Sequence, residues 1–291
     1  MNDQSYIPIS HSALAAFLTC PRKFQLYPKY KVKSYEEPLR TGHIAHKVFQ
    51  KFSQGQNLND IYKYIDEEVT KELETHMNVP DISKICYKMA GMLKGMCAGN
   101  PYWKDIIPYI QHTELNFSYT LPQFGIFGLH GFIDAIIKTP NGCFVIEYKT
   151  TGDIRRFTHT KALRANLQAT IYYYACKHMG IDIRGVMFMI FKKPQIRQTK
   201  KETPEMFEQR LIEDYKARPE FYFYKDFTYR DKDSTDFENR LIKHFSRIER
   251  CFQEDDFWMN EESCYGFKPC VFLPICQNDP NWKDYYEEIS E

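Results

Sequence analysis

Residues 131–149 read Gly131-Phe132-Ile133-Asp134-Ala135-Ile136-Ile137-Lys138-Thr139-Pro140-Asn141-Gly142-Cys143-Phe144-Val145-Ile146-Glu147-Tyr148-Lys149. Two apolar runs flank Asn-Gly, the strongest short signal of a β-hairpin. With Asn141 and Gly142 as a two-residue loop, Asp134 faces Lys149 across the hairpin. Glu147 lies two residues along on the same face, because strand side chains alternate. The carboxylates of Asp134 and Glu147 then become diagonal neighbours, about 7–8 Å apart at Cα, a spacing that lets them hold one hard divalent cation. Three charges among Ile133, Ile136, Ile137, Phe144, Val145 and Ile146 are costly unless they pair or bind metal. A surface hairpin with a cross-strand Asp134–Lys149 pair is the plainer reading of the same residues.

Working outward, residues 10–28 carry Leu14, Phe17, Leu18 and Phe24 at helical spacing, with Ser10 or Ser12 as a cap. Thr41–Phe52 predicts a second helix, with Ile44, Val48, Phe49 and Phe52 apolar. Residues 59–99 read as helix, broken at Asn78-Val79-Pro80. Residues 111–120 and 126–138 have β texture, and Cys143–Thr150 is the return strand of the hairpin. Helical period resumes over 160–178, where Leu163, Leu167, Ile171 and Ala175 share a face; Val186–Phe191 is a short buried strand. Residues 204–217 and 236–253 predict helices, and prolines and cysteines take over from Asn260. The order is that of an α/β core with a helical flank.

The chain has 291 residues, 43% of them hydrophobic and 26% charged, which excludes a disordered, collagen-like or coiled-coil protein. No apolar run approaches the length of a membrane span. The opening MNDQSYIPIS has no basic region followed by an apolar core, so a secretory signal is not expected. Nine cysteines without such a signal point to a reducing, cytoplasmic setting. The net charge is only +1, but residues 147–201 hold 12 Lys or Arg against 3 Asp or Glu. That segment suits a polyanion or a solvated face.

Asp134 followed, after a turn, by Glu147-Tyr148-Lys149 resembles the signature of the PD-(D/E)xK nucleases, with Ile133 in place of the proline. Gly131–Asp134 matches the Gly-x-x-Asp form of the RecB-like branch. Gly42 to His46 fits that branch's upstream Gly-x-x-x-His, and Gln168 to Tyr172 its downstream Gln-x-x-x-Tyr. The resemblance covers residues 10 to 276. It implies a restriction-endonuclease-like core with a mixed central sheet, within a single nuclease domain over 1–291. In that domain 10–110 is a helical part, 111–200 the catalytic core, 201–259 a second helical part and 260–291 a cysteine tail.

The resemblance further implies Mg²⁺ or Mn²⁺ held by His46, Asp134, Glu147 and the backbone carbonyl near Tyr148, with histidine favouring Mn²⁺. Lys149 would orient the attacking water or stabilise charge on the phosphate. Gln168 and Tyr172 would position the metal site and the DNA strand. Arg155, Arg156, Lys161 and Arg164 are candidates for phosphate contacts. Ser12, Leu14, Phe17, Cys20, Pro21 and Phe24 match the pattern around the first cysteine of iron–sulfur members, similar to AddB-type and CRISPR-associated nucleases. In those, one cysteine before the core and three after it hold the cluster. Here Cys20 would join Cys264, Cys270 and Cys276 around a 4Fe–4S cluster, although Cys264 and Cys270 stand further apart than the relatives' Cys-x-x-Cys. By residue type alone, four thiolates also suit zinc.

The chain lacks the Gly-x-x-x-x-Gly-Lys-Ser/Thr of a helicase. It therefore looks like a stand-alone exonuclease on single-stranded DNA, of 5′ polarity by analogy, in recombination, repair, phage replication or CRISPR adaptation. The alternative is a catalytically silent or partner-dependent DNA-binding module on the same fold. The acidic C-terminal third is compatible with a basic protein partner, and a homo-oligomer stays open.

Overall fold

The computed structural model describes residues 6–154, 167–229, 234–265 and 269–289. In chain order its elements begin with β1 (Ile7–Ile9), α1 (His11–Thr19), α2 (Pro21–Leu26), β2 (Tyr30–Val32), α3 (Glu37–Ser53), α4 (Leu58–Thr75) and α5 (Ile82–Gly99). Next come α6 (Trp103–Ile106), β3 (Ile110–Tyr119), β4 (Phe127–Thr139), β5 (Gly142–Thr151), α7 (Leu167–His178) and β6 (Ile183–Lys192). The remainder is α8 (Pro204–Ala217), α9 (Pro219–Tyr222), β7 (Phe223–Tyr229), α10 (Ser234–Glu254), α11 (Leu273–Cys276), α12 (Trp282–Tyr285) and β8 (Tyr286–Glu288). Two compact units divide these, one made of Met1–Ser34, Asn116–Gly131 and Asp231–Glu291, the other of Tyr35–Leu115 and Phe132–Arg230.

In the first unit β1 runs parallel to the opening residues of β4, and β2 pairs antiparallel with β8. The helix expected over residues 10–28 is two helices. Ser10 caps α1, its hydroxyl accepting from the Ala13 N–H at 3.1 Å, and the chain then straightens at Cys20 (φ −162°, ψ 113°). Pro21 explains the break, because a proline pushes the residue before it out of the helical region while itself suiting a first helical turn. Leu26, Phe272 and Tyr286 form a small core beside the β2–β8 pair.

The second unit holds a mixed sheet, as the α/β reading requires. Its β4 residues run antiparallel to β5, β5 parallel to β6, and β6 antiparallel to β7. Helix α7 lies in the crossover that a parallel β5–β6 pair needs. Strand β7, which shows no alternation strong enough to stand out in the sequence, completes the sheet. One face packs Ala135, Ile137, Phe144, Ile146 and Tyr148 against Phe49 of α3, Met89 and Leu93 of α5, and Trp103. Asp134, Glu147 and Lys149 have the opposite parity and leave that core.

The hairpin register differs from the sequence expectation. Thr139 pairs with Gly142 and Ala135 with Ile146, so the loop is Pro140-Asn141 and Gly142 already belongs to β5. Two causes are visible. Gly142 adopts φ +115°, a conformation side chains resist. The Thr139 hydroxyl closes the turn, donating to the Gly142 carbonyl at 3.1 Å and accepting from the Asn141 N–H at 3.2 Å. Continued by one position, this register sets Asp134 opposite Glu147 rather than opposite Lys149. A shift of two keeps every side chain on its face, so the clustering survives.

Helix α5 packs closely on α8 through glycines. A Cβ at Gly91 would lie 2.8 Å from the Glu208 carbonyl oxygen, and one at Gly95 2.7 Å from the Tyr215 ring. Lys94, between them, is 8% exposed and bonds Asp66 of α4 at 2.6 Å and Glu208 of α8 at 2.7 Å. By contrast, nothing lies within 4 Å of a Cβ built on Gly42. Helix propensity alone favours Gly→Ala by about 1 kcal/mol. Gly42→Ala should gain most of that, whereas Gly91→Ala should lose about 1–3 kcal/mol through overpacking. Thermal melting of the two variants checks the opposite signs.

Candidate active site

The second unit brings together most of the residues singled out in the sequence. His46 projects from α3, whose Ile44, Ala45, Val48 and Phe49 are buried and fix its face. Its Nδ1 lies 3.3 Å from Asp134 Oδ1. The other oxygen of Asp134 accepts the Tyr148 backbone N–H at 2.8 Å, which locks the carboxylate across the hairpin. Glu147, 1% exposed, places Oε1 2.5 Å from Lys149 Nζ. Lys149 in turn donates to Gln168 Oε1 at 2.8 Å, and Gln168 Nε2 to the Tyr172 hydroxyl at 2.8 Å. Gln168 and Tyr172 stand one turn apart on α7, so the helix spacing delivers both to the same row.

Tyr148 lies between these residues but turns the other way. Its ring packs on Phe49 and Trp103, and its hydroxyl pairs with Ser53 at 2.7 Å. Alternation along β5 therefore separates a core residue from two charged ones, and only the backbone of Tyr148 faces the site. Arg155, Arg156, Lys161 and Arg164 lie outside the described residues. The sequence reading missed Glu114 of β3. It is half-buried at φ +50°, and burial together with the Asp134 charge raises its carboxyl pKa, against His46, which lowers it. Nothing in the local sequence marks a non-glycine residue for such a backbone.

The electrostatics reflect crowded carboxylates. Burial and the Asp134 charge push Glu147 up to about 7, against the opposing charge and hydrogen bond of Lys149 and a hydrogen bond from Tyr172. Burial pulls His46 down, but Asp134 and then Glu147 outweigh it and its pKa is raised. Among the described residues Glu147 Oε2 is buried with no hydrogen-bond partner. A buried, unsatisfied anionic oxygen is costly, and either a proton or a divalent cation would remove this cost. The donor set of imidazole, two carboxylates and a backbone carbonyl suits Mg²⁺ or Mn²⁺. Among the described residues, no three His, Cys, Asp or Glu side chains already stand at metal-binding spacing. His46 instead bonds Asp134, and Lys149 bonds Glu147.

In the first unit, Cys20 and Cys264 are buried, and Cys270 and Cys276 are half-buried. Asn260 joins the first two: its N–H donates to Cys20 Sγ at 3.4 Å, and its carbonyl accepts from Cys264 Sγ at 3.6 Å. The Cys270 N–H donates to the Cys264 carbonyl at 2.9 Å. Burial raises the Cys276 thiol; Arg22 opposes it, and Cys270, Cys20 and Cys264 each add to the rise. All four cysteines belong to the first unit, but among the described residues no three of them stand at metal-binding spacing. Cys86, Cys97, Cys176 and Cys251 are buried, where a free thiol behaves as a small hydrophobe, and Cys143 is half-buried.

No curated protein sequence is detectably similar to the chain. A solved structure from Eubacterium rectale, designated "Putative exonuclease", is similar in backbone with a TM-score of 0.47 and 10% identity, over 95% of this chain and 89% of that one. The sequence profile of the PD-(D/E)XK nuclease superfamily matches residues 8–277. That span takes in the hairpin with Asp134, Glu147 and Lys149, the histidine before it and the helix after it, and the chain belongs to the PD-(D/E)XK nuclease superfamily.

Proposed function

We propose that this nuclease is a metal-dependent deoxyribonuclease that removes nucleotides from the end of single-stranded DNA, with 5′ polarity by analogy with RecB-like relatives. The observation that carries the metal-dependent reading is the orphaned oxygen of Glu147, buried beside Asp134 and His46. His46, Asp134, Glu147 and the Tyr148 carbonyl are the residues to hold the cation. When bound, it polarises a phosphoryl oxygen and lowers the pKa of a water. Asp134, held by the Tyr148 N–H, keeps its other oxygen directed to His46. Lys149 is held in place by Gln168 and so presents a fixed positive charge where the phosphate gains negative charge. Tyr172 fixes the Gln168 amide in turn. Arg155, Arg156 and Arg164 remain proposed phosphate contacts. End-dependence and strand preference rest on the family resemblance.

The family resemblance, with all four cysteines in the first unit, supports a 4Fe–4S cluster at Cys20, Cys264, Cys270 and Cys276, stabilising a single nuclease domain by closing a long loop. The chain as a whole is read as acting in the cytoplasm; among the described residues no helix is long and apolar enough to cross a membrane. A protein partner or a second copy of the chain stays within this reading.

Incubation with Mn²⁺ and either linear end-labelled or circular single-stranded DNA tests the activity. The expected result is loss of the linear strand alone, with Asp134→Asn slowing it by on the order of 10³-fold, as loss of several kcal/mol of metal-borne stabilisation requires. Cleavage of circles would contradict end-dependence, and no cleavage with retained DNA affinity would favour the binding module. Glu147→Gln removes a buried charge whose ionisation, with the carboxyl pushed up to about 7 on folding, costs stability as the pH rises past that value. It should melt above wild type at pH 8 in a chelator, yet be inactive, and added Mn²⁺ should reverse the order of melting. Protein purified without oxygen should be brown and carry iron and acid-labile sulfide in equal measure, both lost in Cys264→Ser. A colourless protein containing zinc would overturn the cluster.

A further inference from the structure

The basic stretch after β6 is left unexplained by the active site. It reads Lys192-Lys193-Pro194-Gln195-Ile196-Arg197-Gln198-Thr199-Lys200-Lys201. Lys192 is accounted for, its Nζ lying 3.3 Å from the centre of the Phe221 ring. Residues 194–200 form one wall of an open groove of about 820 Å³ in the second unit, whose other wall is the start of α5 with Lys84 and Lys88; Lys193 immediately precedes that wall in the chain.

Three features separate this groove from an ordinary solvated lysine patch. The loop is braced. Arg210 bonds Glu202 at 2.5 Å and the Arg197 carbonyl at 2.9 Å, while Glu202 accepts the Thr199 N–H at 2.7 Å and its carbonyl accepts Gln198 Nε2 at 2.9 Å. The single acid of the groove wall is therefore already engaged. Second, Lys84 pairs with Asp81 and Lys88 with Glu37, but Lys193, Arg197 and Lys200 have no ion-pair partner among the described residues. Lys193 is also half-buried, and burial lowers its pKa, with Glu37 opposing and Lys88 adding to the fall. Third, Gln198 Oε1 is buried without a hydrogen-bond partner in the groove wall, its amide orientation set by the bond from Nε2 to Glu202. Unpaired cations call for an anion, and the orphaned acceptor calls for an N–H or O–H donor. A phosphodiester group by itself supplies only the first; a nucleotide, with the N–H and O–H groups of its base and sugar, supplies both.

The groove also lies close to the chemistry. The Lys193 N–H bonds the Thr151 carbonyl at 2.7 Å, and Thr151 stands two residues past Lys149, about 7 Å along β5. On the other side Glu37, which holds Lys88, begins α3 nine residues before His46, about 13 Å along the helix.

We propose that the groove between the 193–200 loop and the start of α5 is a backbone track for the nucleic-acid strand engaged at the active site. Lys193, Arg197 and Lys200 meet its phosphates, and Gln198 accepts a hydrogen bond from a base or sugar. This rests on the nuclease reading of the site. Contacts of this kind position a strand without reading its sequence.

The test is binding of fluorescent single-stranded DNA in the presence of a chelator, so that it does not depend on cleavage. The variant is the triple substitution Lys193→Gln, Arg197→Gln, Lys200→Gln. For a strand of about 30 nucleotides, affinity should fall tenfold or more, and the slope of log K against log salt should lose about 2, at roughly 0.7 per phosphate contact on a single strand. For a strand of about 4 nucleotides, too short to fill both sites, affinity should change less than twofold. Gln198→Leu should weaken the long strand at an unchanged salt slope. The charge-keeping variant Lys193→Arg with Arg197→Lys should bind as wild type, and melting curves establish that each variant is folded. Equal affinity and equal slope for wild type and the triple variant would overturn the track. Inactivity of the wild type with metal, alongside the expected binding changes, would instead overturn the catalytic reading and leave the track standing.

Discussion

The costliest feature of the second unit is a glutamate side chain buried to 1% exposure with a second carboxylate beside it. Folding withdraws Glu147 from water, and one of its oxygens gains no hydrogen bond in return. Lys149 and Tyr172 offset part of this, and the carboxyl still titrates near 7. Such an arrangement opposes stability by itself, and strongly perturbed carboxyls of this kind cluster at functional sites. The surrounding scaffold is consistent with that use. Asp134 is tethered by the Tyr148 backbone, His46 is carried on a helix whose other face is core, and Lys149 is held by a helix amide.

The means by which the chain meets this constraint is the two-residue alternation of a strand. Along β5, Phe144, Ile146 and Tyr148 enter the core shared with α3 and α5, and the Tyr148 hydroxyl reaches Ser53. Between them Glu147 and Lys149 point to the opposite face. The strand cannot slip by one residue without burying both charges in the aromatic cluster of Phe49, Trp103 and Phe191, so the core that stabilises the unit also fixes the register of the site. The Gly91 and Gly95 contacts of α5 with α8, and Lys94 with its two carboxylates, steady the far side of that core.

Much of this was legible in residues alone, and the exceptions have physical causes. The hairpin was visible because two apolar runs flank a turn dipeptide. Its register was not, since the preference of Gly142 for φ +115° and the hydroxyl of Thr139 moved the loop to Pro140-Asn141. The face of each charge survived because the error was two residues and the period is two. Helix boundaries failed at Cys20, where Pro21 overrides the helical spacing of Phe17 and Phe24. Short strands such as β1, β2 and β8 left no periodic trace. Glu114 was invisible for a different reason: its place beside Asp134 depends on a backbone conformation that no neighbouring residue announces. Cys20 lies far in sequence from Cys264, Cys270 and Cys276, yet all four fall in one unit, and resemblance had joined Cys20 to the other three. Likewise the basic stretch after β6 was legible as charge, but its unpaired cations and its orphaned amide were not.

On this reading Glu147 and Asp134 form a divalent-cation site with His46. Titration of the purified protein with Mn²⁺, followed by electron paramagnetic resonance, tests it most directly, since free and protein-bound Mn²⁺ differ in signal and no substrate is needed. The expected result is a tight site in the wild type that disappears in Asp134→Asn and in Glu147→Gln while their folds are kept. Binding that is absent from the wild type, or indifferent to both substitutions, would contradict it.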